Sequence, residues 1–369
     1  MGFSCGIVGL PNVGKSTIFN ALTRSSVPAA NYPFCTIDPN VGVVPVPDLR
    51  LAKLTELVPT EKVVPTVVQF VDIAGLVKGA SQGEGLGNQF LGHIAEAEAI
   101  AHVVRCFEDS QVIHVSGSVD PKRDIEIINT ELAIRDLATV TAAVSRVEKV
   151  AKSGDKKAAG ALEAFQPVAK ALDQGIPART AMKNLSPAAL EAVKPLNLLT
   201  AKPILYVANV GEKEAVSGED SPVVKVVREL AAAEGAQVVP ICGAIEAQIA
   251  TLETEEERNE YMEAVGLKEP GLNRLIRAGH DLLGLQAFFT VGPKENRAWT
   301  IPRGAIAQEA AGKIHSDMAR GFIRAEVIGY DDFVACGSEA AAKEQGKLRL
   351  EGKEYIVQDG DIMHFRFSV

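Results

Sequence analysis

Apolar and polar positions alternate along the chain in two textures. Residues 3–8, 67–72, 99–107, 203–209 and 238–244 are nearly continuous apolar runs of strand length, the pattern of strands covered on both faces of a sheet. Residues 17–23, 50–58 and 88–98 lie between such runs and read as helices. Residues 41–46 read as a further strand, which Pro45 places at a sheet edge. Strand and helix in alternation predict an α/β fold, a mainly parallel sheet with helices on both faces. From Asp120 the period changes. Ile125, Ile128, Leu132, Leu137, Val140, Val144 and Val147 recur at spacings of mostly three and four, with a hitch near Arg135. Leu162, Phe165, Val168, Ala169 and Leu172 continue the pattern after a polar turn at 152–157. These two runs predict an inserted, coiled-coil-like helical hairpin. After about residue 278, paired strands at 288–292 and 298–302, a short helix at 310–319, an alternating strand at 322–328 and two short strands within 354–365 predict a small α+β module. The expected division is 1–119 and 201–279 for the α/β domain, 120–200 for the insertion and 280–369 for the last module.

The first apolar run leads into Gly9-Leu10-Pro11-Asn12-Val13-Gly14-Lys15-Ser16, followed by Thr17. This is G-x-x-x-x-G-K-[ST] between a strand and a helix, the P-loop pattern. Such a loop aims backbone N–H groups and the positive end of a helix at one polyphosphate. Lys15 is expected to reach the β- and γ-phosphates, and Ser16 to hold Mg²⁺ through its hydroxyl. The run at 67–72 ends in Asp72-x-x-Gly75, 57 residues after Lys15. A strand end there puts Asp72 beside the magnesium through a water, and the Gly75 N–H toward the γ-phosphate. The residue after Gly75 is Leu76, where many GTPases carry the glutamine that orients the attacking water. An aliphatic side chain cannot do so, so slow turnover or a recruited group is expected. Residues 78–87 hold four glycines, a loop that either responds to the γ-phosphate or is simply long and flexible. Thr36, in the polar loop after the first helix, is either a magnesium and γ-phosphate ligand or a solvated turn hydroxyl. His114 is a lone histidine in a β-like stretch, by itself a packed or surface residue.

The strand at 203–209 ends in Asn209-Val210-Gly211-Glu212. A guanine reader would be Asn-Lys-x-Asp, with the aspartate accepting from ring N1–H and the exocyclic amine. Adenine lacks both donors. Two of the three defining positions are altered here, which moves base preference away from GTP and toward ATP.

Composition adds exclusions. The 369 residues are 47% hydrophobic and 23% charged, with net charge −9, which argues against a nonspecific nucleic-acid coat. The inserted hairpin differs, with 12 basic against 10 acidic side chains, and its tip (Arg146, Lys149, Lys152, Lys156, Lys157) is either a phosphate-backbone contact or a solvated end. Five scattered cysteines form no C-x-x-C pair, so neither a zinc site nor a disulfide framework is indicated. The absence of a leader or a bilayer-length apolar run leads us to expect a cytoplasmic protein.

Taken together, residues 9–17, 31–36 (Asn-Tyr-Pro-Phe-Cys-Thr), 70–80 and Asn209-x-x-Glu212 resemble the YchF type of Obg-like ATPase, a branch of the P-loop NTPases. The last module resembles a TGS domain, a β-grasp fold, and the likeness runs the whole chain. The resemblance implies Mg²⁺-dependent ATP hydrolysis with loose base selectivity, association with the ribosome or its large subunit, and a switch role in translation or stress response. It implies neither a membrane nor a sequence-specific DNA partner. It assigns catalysis to Lys15 and a mobile His114. Nucleotide contacts fall on Asn12, Val13, Gly14, Lys15, Ser16, Thr17, Gly75, Asn209, Val210 (through main-chain atoms) and Glu212. Metal ligation falls on Ser16, Thr36 and Asp72. Asn12 matches an asparagine that helps bind K⁺ in some related NTPases. Two other readings stay open: an Obg-type GTPase with an eccentric base motif, and a ribosome- or RNA-binding module in which hydrolysis is incidental.

Overall fold

The computed structural model describes residues 4–24, 40–73, 86–109, 117–217 and 220–368, with backbone alone for 86–89. In chain order the strands are β1 (Ser4–Val8), β2 (Val41–Pro45), β3 (Val63–Val64), β4 (Val67–Asp72), β5 (Ala99–Arg105), β6 (Ile204–Asn209), β7 (Gln237–Ile241), β8 (Leu285–Thr290), β9 (Asn296–Pro302), β10 (Phe322–Ile328), β11 (Arg349–Glu351) and β12 (Ile362–Phe367). The helices that matter most are α1 (Lys15–Arg24), α2 (Leu49–Leu57), α3 (Leu86–Glu96), α4 (Pro121–Ala151) and α5 (Lys156–Asp173). Contacts gather the chain into two compact units, Met1–Val43 with Gln69–Ala278, and Val44–Val68 with Gly279–Val369. The boundaries fall inside β2 and β4.

In the first unit the sheet runs β2-β4-β1-β5-β6-β7. β1 pairs in parallel with β4 and β5, β5 with β6, and β6 with β7. All seven residues of β5 and all six of β6 are buried, which explains their unbroken apolar runs. Each fully buried Leu, Ile or Val there contributes about 1.5–3 kcal/mol. The chain leaves β1 toward β4 on one side and returns to β5 on the other. The carboxyl end of β1 is therefore a topological switch point, where open α/β sheets bind ligands.

The hairpin of α4 and α5 has its own core of Val140, Ala143, Phe165, Val168 and Leu172. Asp120 and Asp155 cap the two helices by accepting from Arg123 N and Ala158 N. The hitch in its apolar pattern has a cause. Asp136 is buried in α4 and accepts from Leu199 N at 2.8 Å, Thr200 N at 2.7 Å and Thr200 Oγ1 at 2.6 Å. Burial pushes its carboxyl pKa up, and these three donors oppose the shift.

In the second unit the sheet runs β11-β10-β12-β8-β9-β3. β8 and β9 are an antiparallel pair, β12 lies parallel to β8, and β10 is antiparallel to both β12 and β11. The helix expected at 310–319 is two helices, Ala307–Ile314 and Ser316–Arg320, because His315 is extended at φ −157° and accepts from Asp317 N. Of the two strands expected within 354–365, one is β12. Residues near 356 make only a bridge to Ile306. Helices Tyr330–Cys336 and Glu339–Glu344 and strand β11 add elements that periodicity did not signal. Residues 44–68, read by position in the chain as part of the α/β domain, pack in this unit, with Leu51 and Leu54 of α2 against Phe289, Ala298, Ile328 and Phe333. Among the described residues no helix is long and apolar enough to cross a membrane.

Candidate active site

The site is built at the switch point. β1 ends at Val8, the loop 9–14 turns, and α1 begins at Lys15. Gly9 is required because a Cβ there would lie 2.9 Å from both Val103 O and Val13 Cγ2. Gly14 has φ +91°, and a Cβ on it would collide with the Asn209 amide. Asn12 takes the left-handed region at φ +62°, which asparagine tolerates better than most residues.

Asn209 ends β6 and is 4% exposed. Its Nδ2 donates to Val13 O at 2.9 Å, and its Oδ1 accepts from Gly243 N at 3.0 Å. One buried amide thus ties the P-loop to the turn after β7. Lys15 and Asp72 form an ion pair, with side chains 9% and 19% exposed. The start of α1 and the end of β4 therefore bring one cation and one carboxylate to a single point. Ser16 and Thr17 are exposed beside them.

These groups line a cleft of about 920 Å³, within the usual range for a small-molecule site. Asn12, Gly14, Lys15, Ser16, Thr17 and Asp72 form one part of its wall. Asn209 to Glu212 and Cys242 to Ala244 form another, and Phe107, Glu108 and Asp109 a third. Val210 is buried, and its N–H donates to Ile241 O at 2.8 Å. Glu212 opens the helix Glu212–Ser217. Burial pushes the Cys242 thiol up, while the helix amides of Ile245 and Ala244 pull it down. Cys5 and Cys106 are pushed up to about 12 by burial, so these thiols are core groups rather than nucleophiles.

A magnesium ion asks for hard oxygen donors and accepts one or two protein ligands beside substrate phosphates. The Ser16 hydroxyl and the Asp72 carboxylate share the cleft and fit that demand. Thr36, Gly75, Leu76 and His114 lie outside the described residues. Sequence reading did not single out Arg105. It ends β5, whose other residues are apolar save His102, is 2% exposed, and donates to Asn12 O and Phe107 O, both at 3.2 Å. A charge closing a buried strand was the available signal.

Known proteins resemble this chain over its whole length. Residues 4–157 match the family model described as a 50S ribosome-binding GTPase. Residues 285–368 match the model YchF-GTPase_C, described as a protein of unknown function. The chain is 57% identical over its full length, and that of the relative, to the ribosome-binding ATPase YchF of Escherichia coli O157:H7. It is 54% identical over the same full span to the one of Bacillus subtilis. The solved structure of the Schizosaccharomyces pombe YchF GTPase superposes with TM-score 0.86 at 37% identity, covering 99% of this chain and 98% of that one.

Proposed function

The chain belongs to the YchF family, and from that premise we propose that it is a ribosome-binding ATPase that hydrolyses ATP to ADP and phosphate. Its curated relatives carry that name, and a P-loop NTPase domain of this type works with Mg²⁺. The observation that carries the reading is the cleft at the end of β1. There a P-loop, the Lys15–Asp72 pair and an altered base motif converge.

In the proposed mechanism the P-loop amides and Lys15 bind the β- and γ-phosphates, and Lys15 stabilises charge that grows during transfer. Ser16 and Asp72, with Thr36, would hold the cation. Bound magnesium would supply positive charge that neutralises charge developing on the phosphate. Nucleotide binding would exchange partners: Lys15 leaves Asp72 for phosphate, which frees the Asp72 carboxylate to help hold the cation. Each charge thus waits neutralised by the other. Gly75 meets the γ-phosphate, and His114 orients water or stabilises charge in place of the glutamine that Leu76 replaces. Asn12 is exposed in the cleft, where its side chain would serve a K⁺ ion. Ribosome binding, cytoplasmic placement and a switch between ATP and ADP states complete the proposal. The exposed basic tip of the hairpin is one surface offered to ribosomal RNA.

Base choice follows from the main chain. The Val210 amide is committed to Ile241, so reading at this position falls to the Val210 carbonyl. A carbonyl accepts from the adenine amine and repels guanine O6. Glu212 stands in the same wall and keeps one competing reading in play, a GTPase, the word used for the S. pombe relative. Equilibrium binding of ATP and GTP with Mg²⁺ separates the two. We expect ATP to bind more tightly. Clear preference for GTP would mean that Glu212 reaches the guanine edge and would sink the ATPase reading.

A further inference from the structure

A phosphate nest requires successive main-chain N–H groups to point one way. In a trans peptide the carbonyl and the following N–H point in opposite directions. Holding a carbonyl from behind therefore aims the next amide. Three successive carbonyls of the P-loop are held. Gly14 O accepts from Ile18 N at 3.0 Å, within the start of α1. Val13 O accepts from Asn209 Nδ2 at 2.9 Å. Asn12 O accepts from Arg105 Nη1 at 3.2 Å.

We propose that Arg105 is a positioning residue for nucleotide binding: it holds the Asn12 carbonyl and so aims the Val13 N–H into the phosphate nest. This rests on the nucleotide-hydrolase reading and adds to it a residue outside the phosphate loop and the base motif.

The chemistry suits arginine. Its guanidinium is a rigid fork of donors, and here the fork spans two segments. Besides Asn12 O, Nε donates to Phe107 O at 3.2 Å and Nη2 to Asp109 O at 3.4 Å. The guanidinium carbon also sits 4.4 Å over the Phe107 ring, a cation–π contact. A neutral amide offers two donors on one nitrogen; the charged fork reaches three carbonyls and braces the P-loop against the 107–109 wall of the same cleft. Asn12 makes the brace necessary, because its left-handed φ of +62° is a conformation that a non-glycine residue holds only when its surroundings fix it.

The competing account is a staple: Arg105 merely closes the turn after β5. The two accounts differ in what they do to nucleotide. We would measure affinities of the full-length protein for ADP, GDP, ATP and AMP, with melting temperature, for the wild type, Arg105→Met and Arg105→Lys. A nest effect weakens every di- and triphosphate by the same factor, about tenfold for Arg105→Met, and leaves AMP within twofold. Arg105→Lys, which keeps the charge and one donor point but loses the fork, gives an intermediate loss. Diphosphate affinities within twofold of wild type in both variants, whatever the melting temperature does, overturn the proposal. If Arg105→Met does not fold, Arg105→Lys decides: wild-type ADP affinity there overturns it. A wrong base assignment changes which nucleotide binds the wild type, whereas Arg105 changes how tightly any diphosphate binds, so the two failures are told apart.

Discussion

The two units of this chain can be compared by what their interior polar side chains hold. In the nucleotide unit, interior polar groups bond the main chain of loops. Asn209 holds Val13 O, Arg105 holds Asn12 O, and Lys202 donates to Ala95 O at 3.0 Å and Ala97 O at 2.5 Å beside α3. In the carboxyl-terminal unit interior amides hold main chain too, Asn296 at Val58 O and Gln286 at Val357 O, and charged groups also close on one another. Arg50 lies between Asp48 at 2.8 Å and Asp359 at 2.9 Å. Asp361 accepts from Tyr355 at 2.8 Å and from Arg349 at 3.5 Å. The second unit's groove of about 480 Å³ includes Trp299, Met318 and Phe365 in its lining. A side chain that holds a carbonyl leaves the next amide aimed outward for a ligand. A charged pair can be opened by a ligand, as Lys15–Asp72 would be by nucleotide, or stay closed, as Arg50 does between two carboxylates. The first unit sets its openable pair in the cleft, beside carbonyls held from behind.

Replacing Lys15 with alanine tests the comparison hardest. It removes the cation that would meet the phosphates and leaves Asp72 without its partner. We expect turnover to fall about 10²- to 10³-fold, the scale for losing one preorganised charge-stabilising donor. The distal surfaces are untouched. Steady-state ATPase assays with ribosome co-sedimentation read both consequences. Lost turnover with co-sedimentation unchanged under every nucleotide condition would favour the reading in which hydrolysis is incidental. Lost turnover with lost nucleotide dependence of co-sedimentation favours the switch.

The interior of the nucleotide unit also makes a pH signature. His102 lies in β5, paired with Tyr206 of β6 in the sheet and with its ring 5.5 Å from the Tyr206 ring. Burial, aided by the Arg179 charge, pushes its pKa down to about 3. Tyr206 and Arg179 both bond Glu234, the other charge nearby. A base with a lowered folded pKa binds its proton more readily when unfolded. Its contribution is therefore complete above pH 6.5 and is lost as pH falls from 6.5 toward 3. The slope is up to about 1.4 kcal/mol per pH unit. Phenylalanine preserves the ring contact and cannot titrate. Denaturant unfolding of His102→Phe and wild type at pH 7 and pH 5 should show the variant gaining on the wild type at the lower pH. Parallel curves would remove His102 as a source of acid sensitivity.

Legibility in the sequence followed the same divide. β1, β5 and β6 were readable because burial on both faces leaves nearly unbroken apolar runs, β4 and β7 because they stay mostly apolar although alternate positions are partly exposed, and the P-loop because its glycines are sterically compelled. Asp72, Asn209 and Glu212 were readable because strand ends fix where a following polar residue goes. Arg105 was not, since one charged residue at the end of an apolar run carries no sign of which carbonyls it meets. That Val210 donates its amide to Ile241 is a property of the turn after β6, invisible in the side chain. In the second unit, β11 and the helices Tyr330–Cys336 and Glu339–Glu344 are too short for a period to emerge. Leu51 and Leu54 announce an apolar helix face but not the core it joins, and residues 44–68 were therefore read with their neighbours in sequence.

The mildest test asks whether the second unit's closed charges matter to the first. Arg50 rests over the Phe289 ring, 5.3 Å from its centroid, while its guanidinium bonds Asp48 and Asp359. Burial raises the Asp359 pKa, and the Arg50 and Ala287 N–H bonds more than reverse it, leaving it below the ordinary value. A carboxylate with a lowered folded pKa contributes above its unfolded pKa, about 3.8, and loses that contribution as pH falls through the folded value. Arg50→Met keeps the stem over the ring and removes the charge. Since Asp359 is half exposed, with side-chain exposure of 52%, solvent screens the pair and the cost should be about 1–2 kcal/mol at neutral pH. The cost should fade as pH falls below about 3.8 and through the lower folded value, beneath which Asp359 is protonated in both states. A double-mutant cycle with Asp359→Asn isolates the pair. ADP and ATP affinities should not move, because none of these groups bonds to a loop that lines the cleft. A nucleotide affinity that follows Arg50 would break the comparison, by showing that the second unit's closed charges reach the first unit's open site.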